Sequence, residues 1–391
     1  MKLAMKRRLF FFCFLVLVTT LTLYPGDDIK LEKFRQELHE QLNRLVKETT
    51  FPGATLAVVL PNDECINIAA GVSDLESKAE MKPGSRIFSG SIGKTFVAAI
   101  VLQLVEEKKL SLDDKVETYF KHCQWFPRVP NGSKLTIRML LNHTGGLPEH
   151  ILSDEFRTII IKTPDRVYKP EELIAYILDK KPVHEAGNGW SYSDTDYIFL
   201  GMIIEKITGH TYYDELKKRI LGPFGFAHTS PANRRELEGL AAGYTGKEPF
   251  YFPRKVLVDG KYVVNPQFEW TGGGLVTTSL DLARWAKMLY EGKVISPASL
   301  EKMLQTVDTQ TEKPNNFGYG LGVQVWESEA GVIYGHGGIF PGYQSQMEYL
   351  PRYKFSLALQ VNTDRTVSEQ AKFMHKHVSM FIPLVIRYLE G

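Results

Sequence analysis

Strand patterns in this chain gather at its two ends. Near the N-terminus, Ala54 to Leu60 and Cys65 to Val72 are apolar runs joined by Pro61-Asn62-Asp63, the pattern of a β-hairpin. Strand signals return at Val332 to Tyr334, Gln344 to Leu350 and Phe355 to Val361. Helical spacing flanks both sets. Leu31, Phe34, Leu38, Leu42 and Leu45 predict an amphipathic helix over 29–48, and a second runs from about Ser368 to Leu389. This order predicts an α/β (α+β) fold, with one antiparallel sheet built from both chain ends and covered by the terminal helices. The middle carries helix punctuation instead. Pro170-Glu171-Glu172 opens a helix that stops at Lys180-Lys181-Pro182, and Gly209 caps one over Tyr197 to Ile207. Thr278-Ser279-Leu280-Asp281 resembles a capping box ahead of Leu282 to Tyr290. Residues 91–290 should therefore form a mostly helical lobe, and residues 29–90 and 317–391 the sheet lobe. No repeat, low-complexity tract or long linker divides 29–391.

Residues 1–24 are of another kind. Lys6-Arg7-Arg8 precedes an apolar core from Leu9 to Val18, the layout of a signal peptide. No small-residue cleavage pattern follows, so an uncut N-terminal membrane tether is the alternative, although the apolar run is short of the ~20 residues of a comfortable span. Either reading places the protein outside the cytoplasm, periplasmic or extracellular. Of 47 basic and 45 acidic residues, only Lys2, Lys6, Arg7 and Arg8 fall in this leader. The remainder is near neutral and carries no basic stripe, which argues against a nucleic-acid partner. Cys65 and Cys123 are the two thiols beyond the leader; an oxidising compartment permits their pairing, and sequence leaves open whether they pair or stay free.

Chemistry concentrates at Ser91 and Lys94. Three positions apart, they share a face if a helix starts there, and the apolar run Phe96 to Val105 reads as that helix. A serine hydroxyl is a weak nucleophile until a base takes its proton, and a lysine of lowered pKa can do so. The positive end of the helix dipole disfavours the ammonium and favours a forming oxyanion.

Further segments accompany this pair: Leu140-Leu141-Asn142-His143-Thr144-Gly145-Gly146, Trp190-Ser191-Tyr192-Ser193-Asp194, Thr271-Gly272-Gly273-Gly274 and Tyr334-Gly335-His336-Gly337-Gly338-Ile339. In this order and spacing they resemble the penicillin-recognising serine hydrolases. That family comprises class C β-lactamases, D-alanyl-D-alanine carboxypeptidases, and related esterases and D-aminopeptidases. The resemblance covers the chain from about residue 30 onward. It implies a β-lactamase/transpeptidase-like fold with the site in the cleft between the two lobes. It implies Ser91 as the nucleophile that forms an acyl-enzyme, Lys94 as its partner in proton transfer, and Tyr192 as general base or shuttle. It also implies His336, Gly337 and Gly338 on the strand lining the cleft, and an oxyanion hole from the backbone N–H groups of Ser91 and Ile339.

Two positions depart from the family pattern. Asp194 stands where an asparagine is usual. Near Lys94 a carboxylate stabilises the ammonium, and the alternative role for Asp194 is to cap the helix starting near Thr195. His336-Gly337-Gly338 replaces the Lys-Thr-Gly of β-lactamases, so the groups that grip a carboxylate are missing. His143-Thr144-Gly145-Gly146 reads as a loop shaping the floor of the cleft. Gly272-Gly273-Gly274 reads as a tight turn before the capped helix, not a phosphate cradle, since no P-loop lysine follows it. No cluster has metal-ligand spacing, and no cofactor is expected. The sequence points to a secreted serine hydrolase acting on a small-molecule or peptide substrate, with cell-wall peptide among the candidates. The leading expectation is a D-alanyl-D-alanine carboxypeptidase-like enzyme. Alternatives are an esterase, a class C-type β-lactamase, or a non-catalytic envelope binding protein of the same fold.

Overall fold

The computed structural model describes residues 25–246, 252–309, 317–364 and 370–391. The leader at 1–24 lies outside the described residues. Within them, a seven-stranded antiparallel sheet joins the chain ends. Its strands are β1 (Gly53–Val59), β2 (Cys65–Gly71), β3 (Phe317–Tyr319), β4 (Gln324–Ser328), β5 (Gly331–Phe340), β6 (Tyr343–Leu350) and β7 (Phe355–Val361). The spatial order is β2-β1-β7-β6-β5-β4-β3. β1 pairs with β7 from Ala54 opposite Val361 to Val59 opposite Ser356, so the two ends meet at the sheet centre. That is the expected assembly.

Helices cover both faces. On one side α1 (Pro25–Thr49) packs on β2 and β1, and its Leu38, Leu42 and Leu45 join a buried cluster with Ile66 of β2 and Leu357 and Leu359 of β7. Each such side chain contributes about 1.5–3 kcal/mol relative to exposure. On the other side lies the helical lobe, whose central element is α2 (Gly93–Glu106), buried from Gly93 to Leu102. Phe96 stacks on Trp285 at 4.0 Å, and the Trp285 indole donates to Thr95 Oγ1 at 2.8 Å. Lys108, left-handed at φ 57°, turns the chain away after α2. α3 (Asp194–Thr208) packs beside α2 and ends at Gly209, whose φ of 72° fits the residue just past a helix.

Two helices differ from expectation. α4 (Ser279–Tyr290), capped by Thr278 accepting from the Asp281 N–H, packs on β1, β6 and β7. Ser356 Oγ of β7 donates to the α4 carbonyl of Ala283 at 2.6 Å. This helix thus belongs with the sheet, not with the helical lobe expected to reach residue 290. The C-terminal helix is two, α5 (Gln370–Ser379) and α6 (Ile382–Glu390), because Pro383 lacks the N–H that a continuous helix would use. The expected start at Ser368 lies outside the described residues. α6 closes on α1: Phe34 and Tyr388 stack at 4.3 Å, and Arg387 pairs with Glu37 at 2.7 Å. Cys65 and Cys123 are free thiols. Among the described residues no helix is long and apolar enough to cross a membrane.

Candidate active site

Ser91 sits in a 3₁₀ turn, Gly90–Ile92, that leads into α2. Neighbouring backbone grips this turn. Ser89 donates from its backbone N–H to the Leu275 carbonyl at 2.9 Å and from Oγ to the Gly273 carbonyl at 3.0 Å. Gly90 has φ 51°, and a Cβ there would lie 2.5 Å from the Ile339 nitrogen. A Cβ on Gly338 would lie 1.9 Å from the Ser89 carbonyl oxygen. Glycine at both places lets the serine turn lie directly against β5. It brings the Ile339 amide beside Ser91, where the family resemblance puts an oxyanion hole.

Lys94, one helical turn on, is fully buried. Its Nζ donates to Ser91 Oγ at 3.2 Å, to the Gly272 carbonyl, and to Asp194 Oδ1 in an ion pair. The rings of Tyr192 and Tyr197 flank the ammonium at 4.9 and 5.4 Å. Burial alone would push Lys94 down, but Asp194, Tyr192 and Glu269 outweigh it and hold the amine above its ordinary value. The ammonium is therefore the resting form. The sequence led to the expectation of a lysine of lowered pKa at the positive end of the helix dipole; the neighbours are acids, and the shift runs the other way.

Asp194 is the first residue of α3, and its side chain turns to Lys94 and caps nothing. Ser193 occupies the N-cap without a side-chain cap bond, so the capping role is corrected. The Asp194 backbone N–H goes to Glu149 Oε2 at 2.5 Å. Burial and Glu149 raise the Asp194 carboxyl while Lys94 lowers it. The buried pair titrates as a unit.

Tyr192 is half-buried, its hydroxyl enclosed without a hydrogen bond of normal geometry among the described residues, although it lies close enough to Ser91 and Lys94 to feel both. Burial raises its pKa despite the pull of Lys94, so it rests as the phenol. Its ring lies 4.3 Å from that of His143, whose left-handed backbone (φ 62°) ends the helix Ile137–Asn142. His143 Nδ1 lies 2.8 Å from Asp196 Oδ2. Burial drives the histidine well down and the carboxyl well up, making this a neutral pair behind Tyr192.

His336, Gly337 and Gly338 line the cavity, as does Ile339. His336 Nδ1 donates to the Gly337 carbonyl at 2.6 Å, so Nε2 is the acceptor for the Tyr319 hydroxyl at 2.9 Å. Burial, with a smaller push from Lys94, takes His336 down to about 3. It is neutral and supplies no cation. The glycine run 272–274 is more than a turn. Gly273, at φ 153°, lies so close to Gly90 that a Cβ would sit 2.3 Å from the Gly90 carbonyl oxygen, and Gly272 supplies the carbonyl that holds Lys94. Just before it, Trp270 adopts φ 39°, ψ −111°, a strained conformation for a non-glycine residue.

The cavity, about 520 Å³, opens at Ser91. Sequence reasoning missed two of its acids, Glu149 and Glu269. Glu149 follows Leu147-Pro148 directly after the His143 motif, so proximity to that motif was the available signal. Glu269 carried none beyond standing two residues before the Thr271-Gly272 segment. Burial, reinforced by Asp194 and Glu149, pushes the Glu269 carboxyl well up. Phe156, Ile160, Phe268 and Phe340 form an apolar wall. Among the described residues no group of acids, histidines and cysteines is arranged to hold a metal.

The chain is similar to known proteins over most of its length. The family described as Beta-lactamase matches residues 38–378. The chain is 29% identical to penicillin-binding protein 4* of Bacillus subtilis over 350 residues, covering 86% of this chain and 74% of that protein. It is 25% identical to a D-aminopeptidase of Brucella anthropi, covering 82% of this chain and 58% of the relative. Among solved structures, a D-stereospecific amidohydrolase from Streptomyces sp. superposes with a TM-score of 0.73 at 28% identity, over 84% of this chain and 95% of that one. A D-amino acid amidase from Ochrobactrum anthropi SV3 shares the fold, with a TM-score of 0.76 at 24% identity, over 92% of this chain and 99% of that one. With a serine, a lysine and a tyrosine converging at the mouth of the cleft and the match extending over most of its length, this chain belongs to the β-lactamase family of serine hydrolases.

Proposed function

We propose that this serine hydrolase cleaves the amide or ester bond of a D-aminoacyl group that carries a free amine and a bulky apolar side chain, through an acyl-enzyme on Ser91. The charge of the cavity carries the reading. Glu149, Asp194 and Glu269 line it; burial keeps Glu269 neutral and Asp194 is paired with Lys94, so Glu149 is the acid left to meet a substrate amine, and Arg157 is the one cation among the described lining residues. Arg157 stands among Leu152, Phe156 and Ile160 with Nε donating to the Ile151 carbonyl at 3.1 Å. A buried carboxylate attracts an ammonium and repels a carboxylate. A substrate with a free amine is therefore favoured over the free C-terminal carboxylate that a D-alanyl-D-alanine carboxypeptidase must hold. The apolar wall suits an aromatic or branched side chain. The similar D-aminopeptidase and D-stereospecific amidohydrolase support the D-configuration. The apolar leader adds an exported location to the proposal.

In the proposed reaction the Lys94–Asp194 pair handles the proton. Lys94 acts once its Nζ has given up a proton, which leaves a neutral amine 3.2 Å from Ser91 Oγ, with Asp194 setting how readily that proton leaves. Lys94 then takes the hydroxyl proton as Oγ bonds to the carbonyl carbon. The oxyanion rests on the Ser91 and Ile339 N–H groups, each worth about 3 kcal/mol. Collapse expels the leaving group, which takes a proton from Lys94 directly or through Tyr192. Water repeats the sequence and frees Ser91.

The test is a substrate pair: D-phenylalanine p-nitroanilide and its N-acetyl derivative, with a diacylated peptide ending in D-Ala-D-Ala alongside. The free amine should be cleaved at least a hundredfold better than the acetylated compound, and Ser91→Ala should abolish both. Faster cleavage of the acetylated or D-Ala-D-Ala substrate would overturn the reading. So would the absence of any covalent adduct with a fluorophosphonate or a fluorescent penicillin, which marks a binding protein.

A further inference from the structure

The cavity does not end at the acids. Past His336 it continues to the far side of β5, where Phe317, Gln324, Gly337, Gln346 and Met374 line it. Pairing between β4 and β5 stops at Gln324 opposite Gly335, so among the described residues β5 runs on toward Phe340 as a free edge at the cleft. Gln346 stands opposite Gly337 on β6. It is fully buried, and neither its Nε2 nor its Oε1 has a hydrogen-bond partner among the described residues. An amide left wholly unpaired indoors is costly, and natural folds rarely keep one without a use for it. Beside it, Gln324 Oε1 accepts the Gly337 N–H at 2.9 Å and Glu348 Oε1 accepts from His375 at 2.6 Å, while Glu348 Oε2 has no hydrogen-bond partner among the described residues; Gln346 differs in that both of its polar atoms are left over. Gly337 is what uncovers the amide, since a Cβ there would sit 2.8 Å from Gln346 Oε1.

We infer that Gln346 forms a subsite for a neutral amide on the leaving-group side of Ser91. The inference rests on the function proposed above, with the substrate amine met by Glu149. Phe268 of the apolar wall, next in sequence to Glu269, stacks on Phe340 at 5.8 Å at one end of this edge, and Gln346 stands opposite Gly337 toward the other. A substrate anchored by its amine at the first end extends its leaving group toward the second. A glutamine amide offers one donor face and one acceptor oxygen, the complement of a peptide group. It matches a carboxylate poorly, and the neutral His336 beside it adds no charge. The preferred substrate is thus a peptide with an N-terminal D-residue, its second peptide group seated on Gln346, in preference to a primary amide.

The experiment compares D-phenylalanine amide with D-phenylalanyl-glycine amide on the full chain and on Gln346→Met, which keeps the length and removes both polar atoms. The wild type should favour the dipeptide amide in kcat/KM. The variant should lose about tenfold of that preference while its melting temperature holds or rises, because an unpaired amide has been removed. Gln346→Asn, which withdraws the same group by one methylene, should lose the preference too and serves if the methionine variant does not fold. An unchanged ratio in a folded variant overturns the inference and leaves the free-amine reading standing. Failure of the wild type to cleave either compound overturns that reading and this inference with it.

Discussion

Replacing Asp194 by asparagine tests the electrostatics of the site at its most sensitive point. Asp194 is the strongest influence holding the buried Lys94 amine protonated against the cost of burial. An opposite charge in contact moves a pKa by about 1–3 pH units, and each is worth about 1.4 kcal/mol. Without that carboxylate the amine should become neutral at a lower pH. If Lys94 is the base, it acts only when neutral, so the acid limb of kcat/KM reports its titration. Asp194→Asn should move that limb down by about 1–3 pH units. Tyr192 shifts in the same direction, because Asp194 raises it as well, so the outcome holds whichever group titrates. Stability changes with the opposite benefit. Lys94 has a raised folded-state pKa, so its contribution is complete below about 10.4, the free-lysine value, and fades as pH rises through the folded value. The variant should therefore be less stable near neutral pH, by about 1–3 kcal/mol. That is less than the loss on stranding a buried charge, because Gly272 and Ser91 still accept from Nζ. The difference should narrow above pH 10. A pH-rate profile with its acid limb unmoved, in a variant whose fold is intact by circular dichroism, would refute the account of Lys94.

Two further outcomes follow from geometry. Gly338→Ala places a methyl 1.9 Å from the Ser89 carbonyl, which no side-chain rotation relieves. It should cut fluorophosphonate labelling more than a hundredfold and lower the melting temperature, whereas Gly84→Ala, with open space around it, should do neither. His375 is lowered by burial but raised more by Glu348, so its net pKa lies above the ordinary 6.5. Its stabilisation is complete below about pH 6.5 and is lost as pH rises through the folded value; thermal melts of wild type and His375→Gln should differ most in mild acid, below that value, and draw together as the solution is made alkaline.

The sheet was legible because its strands alternate or run apolar over short, well-punctuated stretches, and the split between chain ends left little choice of partner. The helix break before Pro383 was also in plain view, but the apolar spacing on either side hid it. α4 was assigned to the wrong lobe because a capped amphipathic helix states which face is buried, not what covers it. At the site, Ser91, Lys94 and Tyr192 were readable from local motifs. The carboxyls of Glu149 and Glu269 were not, for neither belongs to a motif: Glu149 lies just before a short 3₁₀ turn and Glu269 within the 3₁₀ helix Pro266–Gly272, and the fold alone brings them together. The direction of the Lys94 shift failed for the same reason: a pKa belongs to a neighbourhood, and here the neighbourhood is assembled from four separate stretches of chain.

Pairing of β1 with β7 has a consequence for synthesis. Ala54 must wait for Val361 before the sheet has a centre, so a ribosome finishes most of its work before the fold can close. A nascent chain that already displays Ser91 and Lys94 still lacks the Ile339 amide until the second strand group has emerged. Fragments released early by a stalled ribosome should therefore carry the nucleophile yet remain chemically inert, and hydrolysis should begin only once the last strands dock.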